Sequence, residues 1–249
     1  MQKLFIFALI VILLRGQCFA APKKPADSLH SSQIIIVLAN NWDSVQATLY
    51  AYEKQYGRWV LKFTHPVVVG AKGLGVGDGV TAINIPNAPV KKEGDLKAPA
   101  GIFSIGAAFG YSPMAGAGFI KNVYIQATDT VICVDDAHSI YYNRIISADT
   151  AHKDWNSFEH MRLTKNYYKW GLFVNHNAPL TTPGHGSCIF IHIWGNANEG
   201  TEGCTAMTED NLLKLLHWVD AAKKPLLVQL PAGEYANIAR KFGLPDVKH

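Results

Sequence analysis

The stretch from Ser187 to Met207, SCIFIHIWGNANEGTEGCTAM, limits the fold of this chain more than any other. It opens with Cys188 to Trp194, an apolar run too short for a helix and rich in β-branched residues, which predicts a buried strand carrying His192. A Gly/Asn loop, Gly195 to Gly203, follows and ends at Cys204. Just beyond lies the clearest helix signal in the chain. Thr208 is a good N-cap, and Glu209 and Asp210 put negative charge at the positive helix end. Met207 and Leu212 have hydrophobic-staple spacing, and Leu212, Leu215, Leu216 and Val219 form one apolar stripe. The sequence therefore predicts Cys204 at a helix N-terminus, where the dipole lowers a thiol pKa. A strand histidine and a helix-start cysteine are the parts of a thiol nucleophile and its base. Taken singly, each reads more readily as a core histidine or a buried free cysteine.

The N-terminus bears on that choice. Lys3, the apolar run Leu4–Leu14 and the small residues at Cys18 and Ala20 form a secretory signal, residues 1–20. Eleven apolar residues are too few to span a bilayer. A lipid anchor at Cys18 fits less well, because Arg15 stands where an apolar residue is expected. The expected location is the periplasm or cell envelope, with no stable membrane insertion after cleavage. The formal charge of +4 falls to +2 without Lys3 and Arg15, and no basic stripe remains, so nucleic acid is not an expected partner. Cys133, Cys188 and Cys204 remain. An odd count in an exported protein implies one disulfide and one free thiol, without saying which is free.

Around this stretch the chain reads as mostly β. Residues 21–32 are a Pro/Lys/Ser linker, 33–231 one domain and 232–249 a C-terminal tail. Strands are expected at Gln33–Ala39, Val45–Tyr52 and Trp59–Phe63 with its continuation Val67–Val69, as an antiparallel meander. Others are expected at Val123–Ala127, Val131–Val134, Gly171–His176 and Leu226–Leu230. Gly70–Gly79 reads as a flexible hairpin loop; no helix follows it, which argues against a phosphate loop. Phe109–Phe119 reads as irregular, Trp155–Leu163 as one to two helical turns, and Tyr235–Phe242 as a short surface helix. The fold class expected is mainly β: a mixed, largely antiparallel sandwich or barrel with one main helix after the cysteine.

The order matters as much as the residues. The histidine precedes the cysteine, unlike papain-like and NlpC/P60-like peptidases, and lies too close for a chymotrypsin-like cysteine protease. Ile191-His192, the Gly-containing loop and Thr201-Glu-Gly-Cys204 resemble the YkuD-type L,D-transpeptidase catalytic domain. Pro99-Ala-Gly101, Gly186-Ser-Cys-Ile-Phe-x-His-Ile-Trp194, Gly203-Cys-Thr-Ala-Met207, Tyr141-Tyr-Asn-Arg144 and Ser157-Phe-Glu-His-Met161 extend the likeness over roughly 33–231. Glu202 stands where the common motif has histidine, and Ala206 where arginine or asparagine often follows. The His-to-Cys spacing is also shorter than usual. These departures bear on substrate contacts.

The resemblance implies a peptidoglycan enzyme without metal or cofactor, acting on stem peptides. Cys204 would be the nucleophile, His192 the base oriented by a main-chain carbonyl, and the Gly203 amide an oxyanion donor. Asn143, Arg144, Glu159, Arg162, Trp194 and Thr201 are the expected substrate contacts. Transpeptidation with release of D-alanine is the expected reaction, with carboxypeptidase or amidase chemistry on the same substrate as alternatives. Two readings from other classes are a zinc hydrolase, through His185-x-x-Cys188-x-x-x-His192, and a non-catalytic wall-binding module.

Overall fold

The computed structural model describes residues 29–247; the expected signal segment lies outside them, as does most of the linker. Strand β1 (Gln33–Ala39) is buried along its whole length. It lies between β2 (Gln46–Gln55), with which it pairs antiparallel, and a parallel partner near the C-terminus. Next, β3 (Arg58–Val68) completes the expected meander and runs through Pro66, which is tolerated because β3 meets its far neighbour only at Val68. Within the glycine-rich stretch, Leu74–Val76 forms β4, parallel to the start of β5 (Ala98–Gly110). This stretch is not a free hairpin loop. A Cβ on Gly73, which has φ +74°, would come 2.0 Å from the Trp42 carbonyl oxygen, so glycine here permits close backbone packing.

Short strands follow: β6 (Tyr124–Gln126), β7 (Val131–Val134), β8 (Arg144–Ser147) and β9 (Phe158–His160). The helix expected over Trp155–Leu163 is therefore replaced by β9. Its core is three residues that pair antiparallel with β7, and pairing overrides a weak local helical pattern. Phe109 and Gly110, expected to be irregular, end β5, and a 3-10 turn follows at Met114–Ala117. The remaining strands are β10 (Trp170–Val174), β11 (Phe190–Ile193), β12 (Thr205–Met207) and β13 (Leu226–Pro231).

The large sheet runs β10-β11-β12-β3-β2-β1-β13-β5, and β5 returns to pair with β10, closing an eight-stranded barrel-like sheet. The expected fold class holds: mainly β, mixed and largely antiparallel. A second sheet, β8-β7-β9, lies beside it. Among the described residues, two α-helices accompany the sheets. The first, α1 (Glu209–Trp218), has the expected cap, Thr208 Oγ1 accepting from the Asn211 amide at 3.3 Å, and buries Leu212, Leu215 and Leu216. The second, α2 (Ala232–Phe242), buries Tyr235, Ile238, Ala239 and Phe242 in the main core, so the chain beyond residue 231 packs onto the barrel.

Cys133 on β7 is bonded to Cys188, just before β11, which resolves the pairing that counting left open. This bond ties the small sheet to the barrel; Cys204 is free and buried. It closes a sequence separation of 55 residues. Replacing both Cys133 and Cys188 by alanine is expected to cost about 3–4 kcal/mol, by loop entropy in the unfolded chain. Chemical denaturation should show it as a lowered midpoint with an intact native spectrum.

Candidate active site

Strands β11 and β12 are parallel neighbours, with Ile191 opposite Thr205 and His192 opposite Ala206. This register sets Phe190 beside Cys204, and the Phe190 amide donates to Cys204 Sγ at 3.2 Å. Since side chains alternate along a strand, Phe190 and His192 share a face. The sulfur also lies 3.7 Å from the Cys188 carbonyl oxygen. His192 Nδ1 is 2.8 Å from the Ile193 carbonyl oxygen. A carbonyl only accepts, so Nδ1 carries the proton and Nε2 is the basic nitrogen. The ring also meets the edge of Tyr168, centroids 5.2 Å apart.

The backbone at Cys204 is held from both sides. The Thr201 hydroxyl donates to the Cys204 carbonyl at 2.6 Å and accepts from the Gly203 amide at 3.2 Å. Thr205 Oγ1 donates to Gln229 Oε1 at 2.7 Å, and Gln229 Nε2 donates to the Pro99 carbonyl at 2.9 Å. A buried polar bridge thus fastens the residue after the cysteine to β13 and β5.

Cys204 and His192 line one cavity of about 710 Å³, together with Lys91, Glu93, Asp135, Glu159, Tyr168 and the loop 199–203. Lys91 is buried, its ammonium held by Asp95 at 2.6 Å and by the Lys92 carbonyl at 2.6 Å. Glu159 Oε2 accepts from the Tyr168 hydroxyl at 2.8 Å. Burial pushes the Glu159 carboxyl up to about 7, and Asp135, Glu202 and Glu93 add to the rise against the Tyr168 hydrogen bond.

A family model for the L,D-transpeptidase catalytic domain, YkuD, matches residues 34–228. The chain belongs to that family. The matched segment includes every strand that lines the cavity. Among solved structures, Bd1075 from Bdellovibrio bacteriovorus is similar at 12% identity and a TM-score of 0.39, over 85% of this chain and 55% of that one. The helical cell shape determining protein Pgp2 from Campylobacter jejuni is similar at 19% identity and a TM-score of 0.37, over 82% of this chain and 52% of that one. The chain spans about half the length of these two proteins. A comparison with curated proteins finds no match.

Within this YkuD domain the expected contacts separate into two groups. Glu159, Trp194, Thr201 and Gly203 line the cavity with Cys204 and His192. Asn143, Arg144 and Arg162 do not. Asn143 is a buried strut: its Nδ2 donates to the carbonyls of His176 and Asn177, each at 2.9 Å, and its Oδ1 accepts from the Cys188 amide at 3.0 Å. Arg144 is exposed on β8. Arg162 lies over the Tyr111 ring and 3.6 Å from Asp129. The Gly203 amide, expected at an oxyanion, is engaged by Thr201 Oγ1 and would have to exchange partners to serve there. Lys91, Glu93, Asp135 and Tyr168 line the cavity as well, though the sequence reading singled none of them out as a contact. Of the zinc pattern, Cys188 is spent in the disulfide, and among the described residues no cluster of three metal-ligating side chains occurs.

The helix-terminus expectation for Cys204 does not hold. Strand β12 lies between the cysteine and the Thr208 cap, so the dipole end is a strand away. Burial and then the Glu159 charge push the Cys204 thiol up, against the Phe190 amide and Lys91. Burial likewise pushes His192 down to about 4. The resting pair is a neutral thiol and a neutral imidazole. The alkylation rate of Cys204 by iodoacetamide should therefore climb steadily up to about pH 10, with no plateau near neutrality of the kind a thiolate–imidazolium pair gives. His176, buried and held to about 4, behaves like His192. Imidazoles held below the unfolded value of 6.5 add stability that is full above that pH and lost as it falls through about 4. Thermal melts should show the midpoint dropping across that window.

Proposed function

We propose that the protein is an exported peptidoglycan enzyme that works through a thioester on Cys204, with L,D-transpeptidation as its reaction. The observation that carries this reading is the pairing of β11 with β12, which brings an Nδ1-anchored imidazole and the one free thiol among the described residues to the same cavity. The YkuD membership supports the substrate class, peptidoglycan stem peptides.

In this reading Cys204 attacks the carbonyl of the third stem residue, at a diaminopimelate–D-alanine bond. Because burial opposes charge on both partners, the thiol proton moves to His192 Nε2 as the C–S bond forms, not before. His192 then gives that proton to the departing D-alanine nitrogen. An amine from a second stem attacks the thioester, and the thiol is restored. The acidic lining and the Tyr168 hydroxyl shape the pocket that receives these groups. Export rests on the N-terminal pattern, and the Cys133–Cys188 bond supports an oxidising compartment.

The test is incubation with tetrapeptide muropeptides, followed by mass analysis of products and intact protein. Wild type is expected to show an acyl adduct on Cys204, D-alanine release and a cross-linked dimer. Cys204→Ala should lower turnover by about a thousandfold or more, as loss of a nucleophile does. Equal turnover in that variant would sink the thioester reading, and a wild type that releases no product would favour a binding module. A tripeptide alone would make the enzyme a carboxypeptidase, and a freed stem an amidase.

A further inference from the structure

Transfer to an amine has a proton requirement that the pair of Cys204 and His192 does not meet. An acceptor amine reaches the site as an ammonium. It must lose one proton before its nitrogen can attack and a second as the amide forms. His192 carries only the second, from the attacking nitrogen to the departing sulfur. Water needs no more than that one transfer. Aminolysis therefore calls for another base at the cavity, and hydrolysis does not.

Glu159 has the position for it. It stands on β9, in the small sheet, and faces the same cavity as Cys204 and His192, which come from the barrel. Oε2 is fixed by the Tyr168 hydroxyl, and Tyr168 in turn packs edge-on against His192. Among the described residues no lysine or arginine pairs with Glu159. Asp135 lines the cavity too, and its Oδ1 is buried without a hydrogen-bond partner. Two carboxylates short of donors, beside the nucleophile, suit a group with several N–H donors and a positive charge.

We propose that Glu159 is the acceptor-amine residue: it binds the incoming ammonium of the second stem and takes its first proton. This rests on the thioester reading above. The first proton passes from the ammonium to Glu159. The neutral amine then forms a C–N bond to the thioester carbonyl as the C–S bond breaks, and the second proton travels through His192 to Cys204. Glu159 returns its proton to solvent through the cavity mouth. The sum is thioester plus ammonium giving amide, thiol and one released proton. A carboxyl held near 7 fits a group that must take up and release a proton near neutrality.

The experiment uses the mature full chain with tetrapeptide muropeptide as both donor and acceptor, and reads the ratio of dimer to tripeptide. That ratio reports how the acyl-enzyme partitions, whatever the rate of its formation. At pH 7.5, Glu159→Gln is expected to lower the ratio by about a hundredfold, the usual weight of a general base. The ratio should recover towards wild type as the pH nears about 10, where the free amine becomes abundant. Glu159→Asp, which keeps a carboxylate, should hold a ratio well above Glu159→Gln, and it stands in if the glutamine variant does not fold. An unchanged ratio in Glu159→Gln, a loss that persists at high pH, or equal loss in both variants would overturn the proposal. A wild type giving tripeptide but no dimer would also overturn it while leaving the thioester reading intact. A wild type that forms no acyl-enzyme removes the thioester reading itself.

Discussion

The site depends on one pairing, the parallel ladder between β11 and β12. Parallel neighbours usually need a long crossover, because the chain must return to the same end of the sheet before starting again. Here residues 194–204 make that return without a helix. Two bridges hold the return: the Thr201 amide bonds to the Val69 carbonyl, and the Ala71 amide to the Thr201 carbonyl. The loop is thus stitched to the end of β3 and cannot swing freely. Its rigidity delivers Cys204 beside Phe190, with the histidine two residues further along the same strand.

Around this ladder, electrostatics and packing pull in opposite directions. Packing demands a dry setting, with Phe109, Phe173, Phe190 and the Cys133–Cys188 bond in one cluster with Cys204. Dryness makes charge expensive, so it keeps both the thiol and the imidazole neutral at rest. A substrate that enters and forms an oxyanion changes that balance, because hydrogen bonds in a dry pocket act at full strength on developing charge. The same dryness raises the carboxyl of Glu159, which lines the same cavity. One physical cause, exclusion of water by aromatic packing, therefore sets the protonation of three groups at once.

Much of this was legible in the sequence. Cys204, His192, the cap at Thr208 and the mainly β class all rest on local patterns: apolar runs, spacing and a capping residue. What escaped depends on pairing between distant segments. Three residues, Thr205–Met207, are too few to announce a strand, and their ladder to β11 moved the helix end away from the cysteine. The same holds for β9, where Phe158–His160 joins β7 and turns Glu159 towards the cavity. Lys91 is buried by chain segments nearly a hundred residues away, which no local pattern shows. Asn143 read as a ligand contact because it is polar and sits in a distinctive motif. Its φ of +63° and its three hydrogen bonds show that the motif is distinctive for backbone reasons.

The bridge from Thr205 through Gln229 to the Pro99 carbonyl has a wider meaning for how such a protein can diversify. Cys204 hangs from the barrel's own wall, while the exposed residues Gly195 to Glu199 only frame the entrance. Anchorage and rim are separate pieces of chain. Changes in length or composition at the rim can alter what fits the cavity without loosening the Cys204 sulfur, so the entrance can drift over generations while the anchored thiol stays put.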